Sequence, residues 1–300
     1  MPKIVECVPN FSEGRRPEVI EAIINEIRAV PGVRLLDFSS DADHNRSVVT
    51  FVGEPGAARE AAFRATAAAA RLIDMNEHRG NHPRIGATDV VPFIPISEMK
   101  MEEAVALARE LGAEIADKLG IPVYLYEAAA IRPERRNLAD IRRGEYEGLK
   151  EEIDEPGRHP DFGPPKMHPT AGATVVGARM PLVAFNVNLG TADVSIAKKI
   201  AKAVRASSGG LVNVKAIGLL LQEQGVAQVS MNMTNYVGTP LHRAFEMVKR
   251  EAESCGVPVI GSEIVGLVPQ DALIAAGKYY LRLRDFKDSQ ILERRLAEEE

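Results

Sequence analysis

Hydrophobic residues follow two patterns along the first half of the chain, short continuous runs and longer segments with helical spacing. The run IVECVP, residues 4–9, predicts a strand, and apolar residues at positions 19, 20, 23, 24 and 27 predict one face of a helix that opens at Pro17. The runs VRLLDF and RSVVTFVG predict two strands, and an alanine-rich segment predicts a second helix. The next run, DVVPFIPI, predicts a strand that its prolines place at a sheet edge.

The same order of elements begins again after residues 131–170, a long polar region rich in proline and glycine. PLVAFNVNLG predicts a strand, SIAKKIAKAVRAS a helix, LVNVKAIGLLL and VAQVSMNMTN a strand pair, LHRAFEMVKREAESCG a helix and VPVIGSEIVG a strand. Each half is therefore predicted to have the ferredoxin-like order β-α-β-β-α-β, with an additional strand and helix in the first half.

These patterns predict an α+β fold made of two ferredoxin-like subdomains that flank a substrate cleft. The predicted boundaries are residues 1–178 for the first subdomain, 179–282 for the second, and 283–300 for a charged helical tail. A single doubly wound sheet is the alternative, but no GxGxxG follows a strand and no Walker lysine has the required spacing. We therefore expect no nucleotide site.

Charge and composition argue against several classes of protein. The 300 residues carry a formal net charge of −5, which argues against non-specific nucleic-acid binding. No apolar run approaches the roughly 20 residues of a membrane span, and the N-terminus lacks the basic and apolar regions of a signal peptide. Cys7 and Cys255 are too few for a disulfide framework, so a reducing cytoplasm is the expected location, and Cys7 is predicted to be a core residue.

The stretch MNEHRGNHPRIGATDV, residues 75–90, concentrates titratable side chains where no helix is expected to continue. His78 and His82 have the i, i+4 spacing of zinc-protease ligands, but that motif needs a helix and an intervening glutamate. Gly80 and Pro83 interrupt this segment, so we expect no metal. His82 is a candidate general acid or base, because imidazole titrates near neutrality and neighbouring arginines disfavour its cation. A structural loop histidine is the alternative.

Other polar residues near predicted strand ends are candidates for binding an anionic substrate. His44 and His168 lie on loops that could face the same cleft. Arg46 and Arg84 lie beside turns, and a guanidinium fork matches a carboxylate, although solvated surface arginines are the alternative. Asp89 is a candidate for orienting an imidazole or an amine, with a turn or capping role as the alternative.

Several long motifs occur in order between about residue 3 and about residue 275, among them IVECVPNFSEG, HPRIGATDVVPFIP, GIPVYLYE, GATVVGAR, AFNVNLGT, AIGLLLQEQGVAQVSMNMTN and VPVIGSEIVGLVP. Together they resemble the glutamate formiminotransferase family. The resemblance implies transfer of a formimino group from N-formimino-L-glutamate to N5 of tetrahydrofolate, a co-substrate, in histidine degradation. It also implies a homodimer and a functional link to a separate cyclodeaminase, since the fused cyclodeaminase domain of vertebrate members is not among the 300 residues.

The resemblance also implies individual site residues. The family's catalytic histidine falls on His82, within HPRIGATDV. The residues inferred to bind the substrate beside it are Asn10, His44, Asn45, Arg46, Arg84 and Asp89. The family's folate-contacting loop falls on Gly163, Pro164, Pro165, Lys166, Met167, His168, Pro169, Thr170, Ala171 and Gly172.

Two alternatives to this function stay open. A related folate enzyme would use another donor, formiminoglycine or 5-formyltetrahydrofolate. A folate-binding protein without turnover would belong to a different class, and an intact HPRIGATDV motif argues against it, because binding alone does not require a group that titrates near neutrality.

Overall fold

The structure is a computed structural model that describes residues 2–222 and 224–297. The chain divides into two compact units, residues 1–179 and residues 180–300. Among the described residues, no helix is both long enough and apolar enough to cross a membrane.

The first unit is built on a mixed seven-stranded sheet. Its strands are β1 (Ile4–Cys7), β2 (Asn10–Phe11), β3 (Arg34–Asp41), β4 (Arg46–Gly53), β5 (Thr88–Ser97), β6 (Val123–Glu127) and β7 (Thr174–Ala178). Strands β1 and β2 follow one another between β4 and β5 and pair antiparallel with both, while β3 pairs with the other edge of β4. Strand β7 lies between β5 and β6 and runs parallel to both.

Five helices accompany this sheet: α1 (Pro17–Arg28), α2 (Pro55–Leu72), α3 (Met101–Leu119), α4 (Leu138–Ile141) and α5 (Glu145–Glu152). Helix α1 has a proline in its first turn and buries the five apolar residues that predicted it, Val19, Ile20, Ile23, Ile24 and Ile27. A fully buried side chain of this kind contributes roughly 1.5–3 kcal/mol, so this apolar face holds α1 on the sheet. The order from β1 to β5 confirms the predicted ferredoxin-like arrangement.

Strand β5 is an interior strand, so the prediction of an edge strand was wrong. Proline lacks the N–H that a sheet interior normally uses, yet β5 pairs with β1, β2 and β7. The register between β1 and β5 shifts next to the residue opposite Pro95, and Pro92 accepts a hydrogen bond from the Val8 N–H through its carbonyl. The two prolines are tolerated because one lies beside an irregularity and the other takes part as an acceptor.

The second unit contains a four-stranded antiparallel sheet of β8 (Val183–Leu189), β9 (Val214–Leu221), β10 (Val226–Met233) and β11 (Val259–Val265), in the order β11-β8-β10-β9. Its helices are α6 (Val194–Val204), α7 (Leu241–Ser254), α8 (Gln270–Tyr280) and α9 (Leu292–Ala297). The order from β8 to β11 confirms the second ferredoxin-like motif. Of the tail predicted at 283–300, a short 3₁₀ turn and α9 are helical, and residues 298–300 lie outside the described residues.

The cores of the two units agree with the apolar patterns that predicted them. Cys7 is fully buried among the apolar residues of the first core, and burial raises the pKa of its thiol well above the ordinary value. A thiol in that state is a weak nucleophile, because the thiolate is the reactive form. The prediction that Cys7 is a core residue is confirmed.

Candidate active site

The candidate site lies on the long irregular loop between α2 and β5, residues 73–87. No helix forms within this loop, as its glycines and proline predicted. His82 is half-buried, whereas His78 is almost completely buried, with 7% of its surface exposed. No group of three or more His, Cys, Asp or Glu side chains in residues 2–222 and 224–297 is arranged to hold a metal ion.

His82 is held in one tautomer by two contacts. Arg46, the first residue of β4, places Nη1 2.6 Å from Nε2 of His82. A guanidinium can only donate, so Nε2 of His82 is the acceptor. His82 also forms a hydrogen bond with the backbone of Pro83, which has no N–H, so the proline carbonyl accepts from the ring. The proton therefore lies on Nδ1, and the lone pair of Nε2 points towards Arg46.

The environment of His82 keeps its imidazole neutral. Burial, and then the positive charges of Arg46 and Arg142 and the ring of His44, lower the pKa of His82 to about 3. The neutral imidazole predicted at His82 agrees with this lowered pKa, but burial is the larger cause, and the arginines that act on the ring are Arg46 and Arg142 rather than its sequence neighbours. Its role as a base stays a prediction. An anion bound beside these arginines would raise the pKa of His82 again, because a negative charge favours the imidazolium form.

Arg46 has one buried donor, Nε, that no described group of the protein uses. Its side chain is half-buried, and Nε is inaccessible to solvent with no hydrogen-bond partner in the part of the chain that the structure describes. Burial, followed by the nearby charge of Arg142, lowers the pKa of its guanidinium. A buried guanidinium without a carboxylate partner is costly, so an anion that reached Arg46 would be bound favourably.

Arg84, in contrast, is already paired within the protein. Only 5% of its surface is exposed; Nη1 and Nη2 lie 2.8 and 2.7 Å from the two carboxylate oxygens of Glu147, and Nη1 also lies 2.8 Å from Glu145. This fork-to-fork geometry is the arrangement that a substrate carboxylate would need. The substrate clamp predicted at Arg84 stays a prediction, and it would have to displace two glutamates from α5.

His78 links Arg84 to the loop that carries Arg46. Nε of Arg84 donates to Nδ1 of His78 at 3.2 Å, so the ring proton lies on Nε2, which donates to the carbonyl of Asn45 at 2.9 Å. Burial lowers the pKa of His78, which keeps the ring neutral and preserves this tautomer. His78 thus has both ring nitrogens occupied by protein groups, which makes it a supporting residue.

The two asparagines inferred to bind substrate hold backbone segments together. Asn45 is buried with a φ of +49°; its amide donates to the carbonyl of Arg79 at 3.0 Å and accepts from the Gly14 N–H at 2.9 Å. Asn10, in β2, donates to the carbonyl of Val8 at 3.0 Å. Their roles in substrate binding stay predictions beside these structural ones.

His44 lies at the rim of the site. Its exposed ring is 6.1 Å from the ring of His82, edge to face, and its Nδ1 lies 2.9 Å from a carboxylate oxygen of Asp41. The backbone N–H of His44 also donates to Asp41, and these contacts lower the pKa of that carboxyl group. His44 can therefore meet a ligand from solvent, whereas His82 meets it from within the protein.

Asp89 brings an arginine into the site that sequence reasoning missed. Asp89 is 2% exposed; one oxygen accepts from the Ile85 N–H at 3.0 Å, and the other accepts from Nη2 of Arg142. Arg142 follows α4 in the polar region 131–170, where the only signal was a pair of arginines before a glycine in a long loop. Its position was not predictable, because it depends on a carboxylate more than fifty residues earlier in the chain.

The predicted folate loop is exposed at one end and fixed at the other. Gly163, Pro164, Pro165 and Lys166 are exposed, whereas Met167, Ala171 and Gly172 are buried. His168 accepts hydrogen bonds at Nδ1 from the Thr170 and Ala171 N–H groups, and burial lowers its pKa. Pro169 and Thr170 accept bonds through their carbonyls from Asn76 and Met75, at the start of the His82 loop. The structure therefore joins these two segments.

Two glycines make this junction possible. The N–H of Ala87 bonds to the carbonyl of Ala171, and the N–H of Ala173 bonds to the carbonyl of Ile85. A β-carbon at Gly86 would lie 1.9 Å from the carbonyl oxygen of Ala173, and one at Gly172, where φ is +73°, would lie 2.5 Å from that of Ile85. Only glycine allows the two backbones to approach this closely.

Two openings lie beside the loop. A cavity of about 700 Å³ is lined by Arg15, Asp43, Arg79, Gly80, Asn81, Arg84, Gly144, Glu145 and Glu147. A much narrower crevice is lined by Phe11, Ser12, His44, Asn45, Arg46, His78, His82, Arg84 and Asp89. Arg84 borders both, but His82 borders only the crevice. The larger opening offers room, and the crevice contains His82 and the Arg46 guanidinium, whose Nε has no partner among the described residues.

Comparison with known proteins places this geometry in a family. Residues 4–179 match the N-terminal subdomain of the formiminotransferase domain, and residues 184–295 match the formiminotransferase domain. The chain belongs to the formiminotransferase family. The resemblance drawn from the motifs is therefore confirmed, and so is the enzyme class, a transferase.

Relatives of known name cover nearly the whole chain. Glutamate formimidoyltransferase of Streptococcus pyogenes serotype M1 is 52% identical over 297 residues, 99% of either chain. That of Thermoplasma acidophilum is 52% identical over 98% of this chain and 97% of its own. The formimidoyltransferase-cyclodeaminase of Gallus gallus is 46% identical over 94% of this chain, but only 53% of that protein is matched.

Proposed function

We propose that the protein is a glutamate formimidoyltransferase, which transfers the formimino group of N-formimino-L-glutamate to N5 of tetrahydrofolate. The observation that carries this proposal is a neutral, tautomer-fixed His82 beside an unpaired Arg46, in a chain of the formiminotransferase family. A neutral imidazole can accept a proton at Nε2 once Arg46 turns its donor to a substrate carboxylate, which a guanidinium can hold.

The reaction needs one group that moves a proton in both directions. N5 of tetrahydrofolate attacks the formimino carbon, and a tetrahedral intermediate forms with a new carbon–nitrogen bond. His82 takes the proton from N5 and then gives it to the nitrogen of the glutamate moiety. The bond from carbon to that nitrogen breaks, so glutamate leaves and 5-formimidoyltetrahydrofolate remains. His82 ends in its starting state.

Arg46 has two functions in this scheme. It holds a carboxylate of the donor within reach of Nε2 of His82, which is a positioning effect. The bound negative charge also raises the pKa of His82 from its low value towards neutrality, which makes the ring a stronger base. Binding of the donor would thus give His82 the basicity that proton transfer needs.

The loop from Gly163 to Gly172 would supply the folate contacts. Its exposed half carries Lys166, whose ammonium suits the anionic tail of folate, and its buried half is bonded to the His82 loop. That bonding supports a position of the proposed folate loop beside the His82 loop, and such proximity would favour a bimolecular transfer. Tetrahydrofolate is then a co-substrate, and no metal or nucleotide takes part in the scheme.

A homodimer and a functional link to a cyclodeaminase stay predictions from the motifs. The bifunctional name of the relative from Gallus gallus supports the link, because it joins the two activities in one chain. The product of the proposed reaction carries a formimino group on N5, so an enzyme that releases ammonia from that group would consume it.

A donor panel tests the proposal. Purified protein is incubated with tetrahydrofolate and N-formimino-L-glutamate in one reaction, and with tetrahydrofolate and formiminoglycine in a second. A third reaction contains 5-formyltetrahydrofolate and no tetrahydrofolate. The folate products of each reaction are followed by absorbance and mass. Transfer from N-formimino-L-glutamate, with a kcat/KM well above that for formiminoglycine, is expected. Preference for another donor would replace the donor assignment. Tight folate binding without transfer from any donor would indicate a folate-binding protein instead.

A further inference from the structure

We propose that Arg142 and Arg46 together form a two-arginine clamp for the α-carboxylate of the formimino donor, with Asp89 as the residue that positions Arg142. This inference rests on the proposed function and extends it to the substrate contact beside His82. Arg142 was not among the residues that the motifs suggested.

Both arginines keep an unused donor inside the protein. Nε of Arg46 and Nε of Arg142 are inaccessible to solvent, and neither has a hydrogen-bond partner within residues 2–222 and 224–297. Buried donors on charged groups are rarely left unpaired, because each has lost its water without a replacement. The two donors are therefore candidates for contacts that a ligand completes.

Among the described residues no carboxylate lies within ion-pair distance of Arg46, although the more distant charges of Asp89 and Asp41 act on it. Two guanidinium groups, Arg46 and Arg142, act on a neutral imidazole, and Asp89 is the buried carboxylate that pairs with one of them. The carboxylate of Asp41 lies at the exposed rim beside His44. Burial, and then the positive charge of Arg142, lowers the pKa of Arg46, while the charges of Asp89 and Asp41 raise it. An anion between the two arginines would favour the charged form of both guanidinium groups.

A chain of hydrogen bonds links the segments that carry the two arginines. Arg46 follows Asn45, whose carbonyl accepts from His78, and His78 accepts from Arg84. Arg84 in turn grips Glu145 and Glu147 on α5, a few residues after Arg142. Arg84 thus connects the segment of Arg142 to the strand of Arg46, which accounts for its burial without a substrate role.

The chemistry of the site favours a carboxylate of the donor. Planar guanidinium forks match the two oxygens of a carboxylate. Arg46 lies 2.6 Å from Nε2 of His82, so an oxyanion on Arg46 is held close to the ring nitrogen that would accept a proton. In the donor, the α-carboxylate is attached to the carbon that bears the leaving nitrogen. Holding that carboxylate therefore places the leaving nitrogen next to His82.

The experiment compares Arg142→Gln and Arg142→Lys with Arg143→Gln, an exposed neighbour on the same turn. Binding of L-glutamate, the proposed product, is measured by calorimetry, which does not depend on turnover. Arg142→Gln is expected to weaken glutamate binding and to raise the KM for the donor by about tenfold to a hundredfold, as loss of a charge-assisted pair in a desolvated site does. The KM for tetrahydrofolate is expected to stay within about twofold, because that contact lies elsewhere.

Substrate analogues then identify the carboxylate. 4-Formimidoylaminobutyrate lacks the α-carboxylate and retains the distal one, so the wild type and Arg142→Gln are expected to use it equally poorly. Formiminoglycine retains the α-carboxylate, so Arg142→Gln is expected to raise its KM as much as it raises the KM for N-formimino-L-glutamate. Tetrahydropteroate, which lacks the glutamate tail of folate, tests whether the carboxylate comes from the co-substrate instead.

Three results would overturn the clamp. Unchanged glutamate binding in a folded Arg142→Gln protein would remove Arg142 from the site. A change in the KM for tetrahydrofolate that disappears with tetrahydropteroate would assign the arginine to folate. If Arg142→Gln raises the KM for 4-formimidoylaminobutyrate as much as the KM for N-formimino-L-glutamate, Arg142 binds the distal carboxylate instead. If Arg142→Gln does not fold, Arg142→Lys is decisive, since one ammonium cannot serve Asp89 and the carboxylate as a fork does. Wild-type glutamate binding without transfer would refute the proposed function alone.

Discussion

The two units repeat one topology, yet they differ at the connection from the second helix to the fourth strand. In the first unit this connection, between α2 and β5, spans residues 73–87 and carries His78, His82 and Arg84. In the second unit the equivalent connection, between α7 and β11, spans residues 255–258. The candidate site therefore lies on the longer of the two equivalent connections.

A second difference accounts for how the long loop is held. Strand β11 lies at an edge of its sheet, whereas its counterpart β5 is flanked by β7, which belongs to an extension that the second unit does not share. Segments of this extension return to the loop: Arg142 bonds to Asp89, and residues 170–173 bond to the backbone around Gly86. The extension therefore supplies the support that fixes His82.

The largest effect is expected from removing the histidine of the long loop. His82→Gln should reduce formimino transfer by about 10²–10⁴-fold, the usual contribution of a general acid or base, while the folded protein and its folate binding persist. The matched control is His242→Gln in the second unit, where the histidine stacks on Tyr279 at 4.3 Å. Transfer rates for both variants test the comparison. Similar losses from both substitutions would show that the long loop has no special role.

A smaller effect is expected from breaking the support of that loop. Arg84→Met leaves Glu145, Glu147 and His78 without their partner. The glutamate side chains are 43% and 58% exposed, so water screens part of the loss, and a decrease of roughly 1–3 kcal/mol in unfolding free energy is expected. Urea denaturation measures it.

The control for Arg84 lies in the second unit. Lys278 pairs with Asp288 at 3.4 Å on the surface, so Lys278→Met should change the unfolding free energy by no more than about 1 kcal/mol. An equal cost for the two substitutions would mean that the ion pairs of Arg84 behave as ordinary surface pairs and do not brace the site.

The contact between the His82 loop and residues 170–173 can be tested by adding one methyl group at Gly86. Gly86→Ala would place a β-carbon against the carbonyl of Ala173, and we expect a cost of roughly 1–3 kcal/mol with reduced transfer, as overpacking does. Gly261, in β11, has open space around the equivalent atom, so Gly261→Ala should be close to neutral. Thermal unfolding and transfer assays of both variants measure the difference. A harmless Gly86→Ala would show that the two backbones can separate without loss.

The smallest effect is a dependence of stability on pH. The pKa of His82 is lowered from 6.5 to about 3 in the folded protein, so the unfolded chain binds a proton below pH 6.5 that the folded chain refuses. Stability should therefore fall as the pH falls from 6.5 to about 5, before most carboxylates titrate. His82→Gln should reduce this slope by up to about 1.4 kcal/mol per pH unit. An unchanged slope in urea titrations would mean that His82 is not buried as a neutral group.

Much of the fold was predictable from local patterns, but the pairing of charges was not. Arg46 and Arg84 were equivalent candidates in the sequence, since both lie beside turns near strand ends. They differ because Glu145 and Glu147, some sixty residues beyond Arg84, form ion pairs with it, while Nε of Arg46 has no hydrogen-bond partner among the described residues. The proline-based prediction for β5 failed for a related reason. A proline shows only that one backbone N–H is missing from the strand. The position of that strand in the sheet depends on which later strand pairs with it.

The sequence by itself determined the strands and helices, the two ferredoxin-like repeats, the absence of a helix through residues 73–87, and the motifs of the family. Those properties depend on residue periodicity and backbone preference, which act over a few neighbouring positions. Only the tertiary structure decided that burial, Arg46 and Arg142 keep His82 neutral, that Arg84 is internally paired and that Arg142 reaches Asp89. Those properties depend on desolvation and on charges brought together from distant parts of the chain, which no local pattern records.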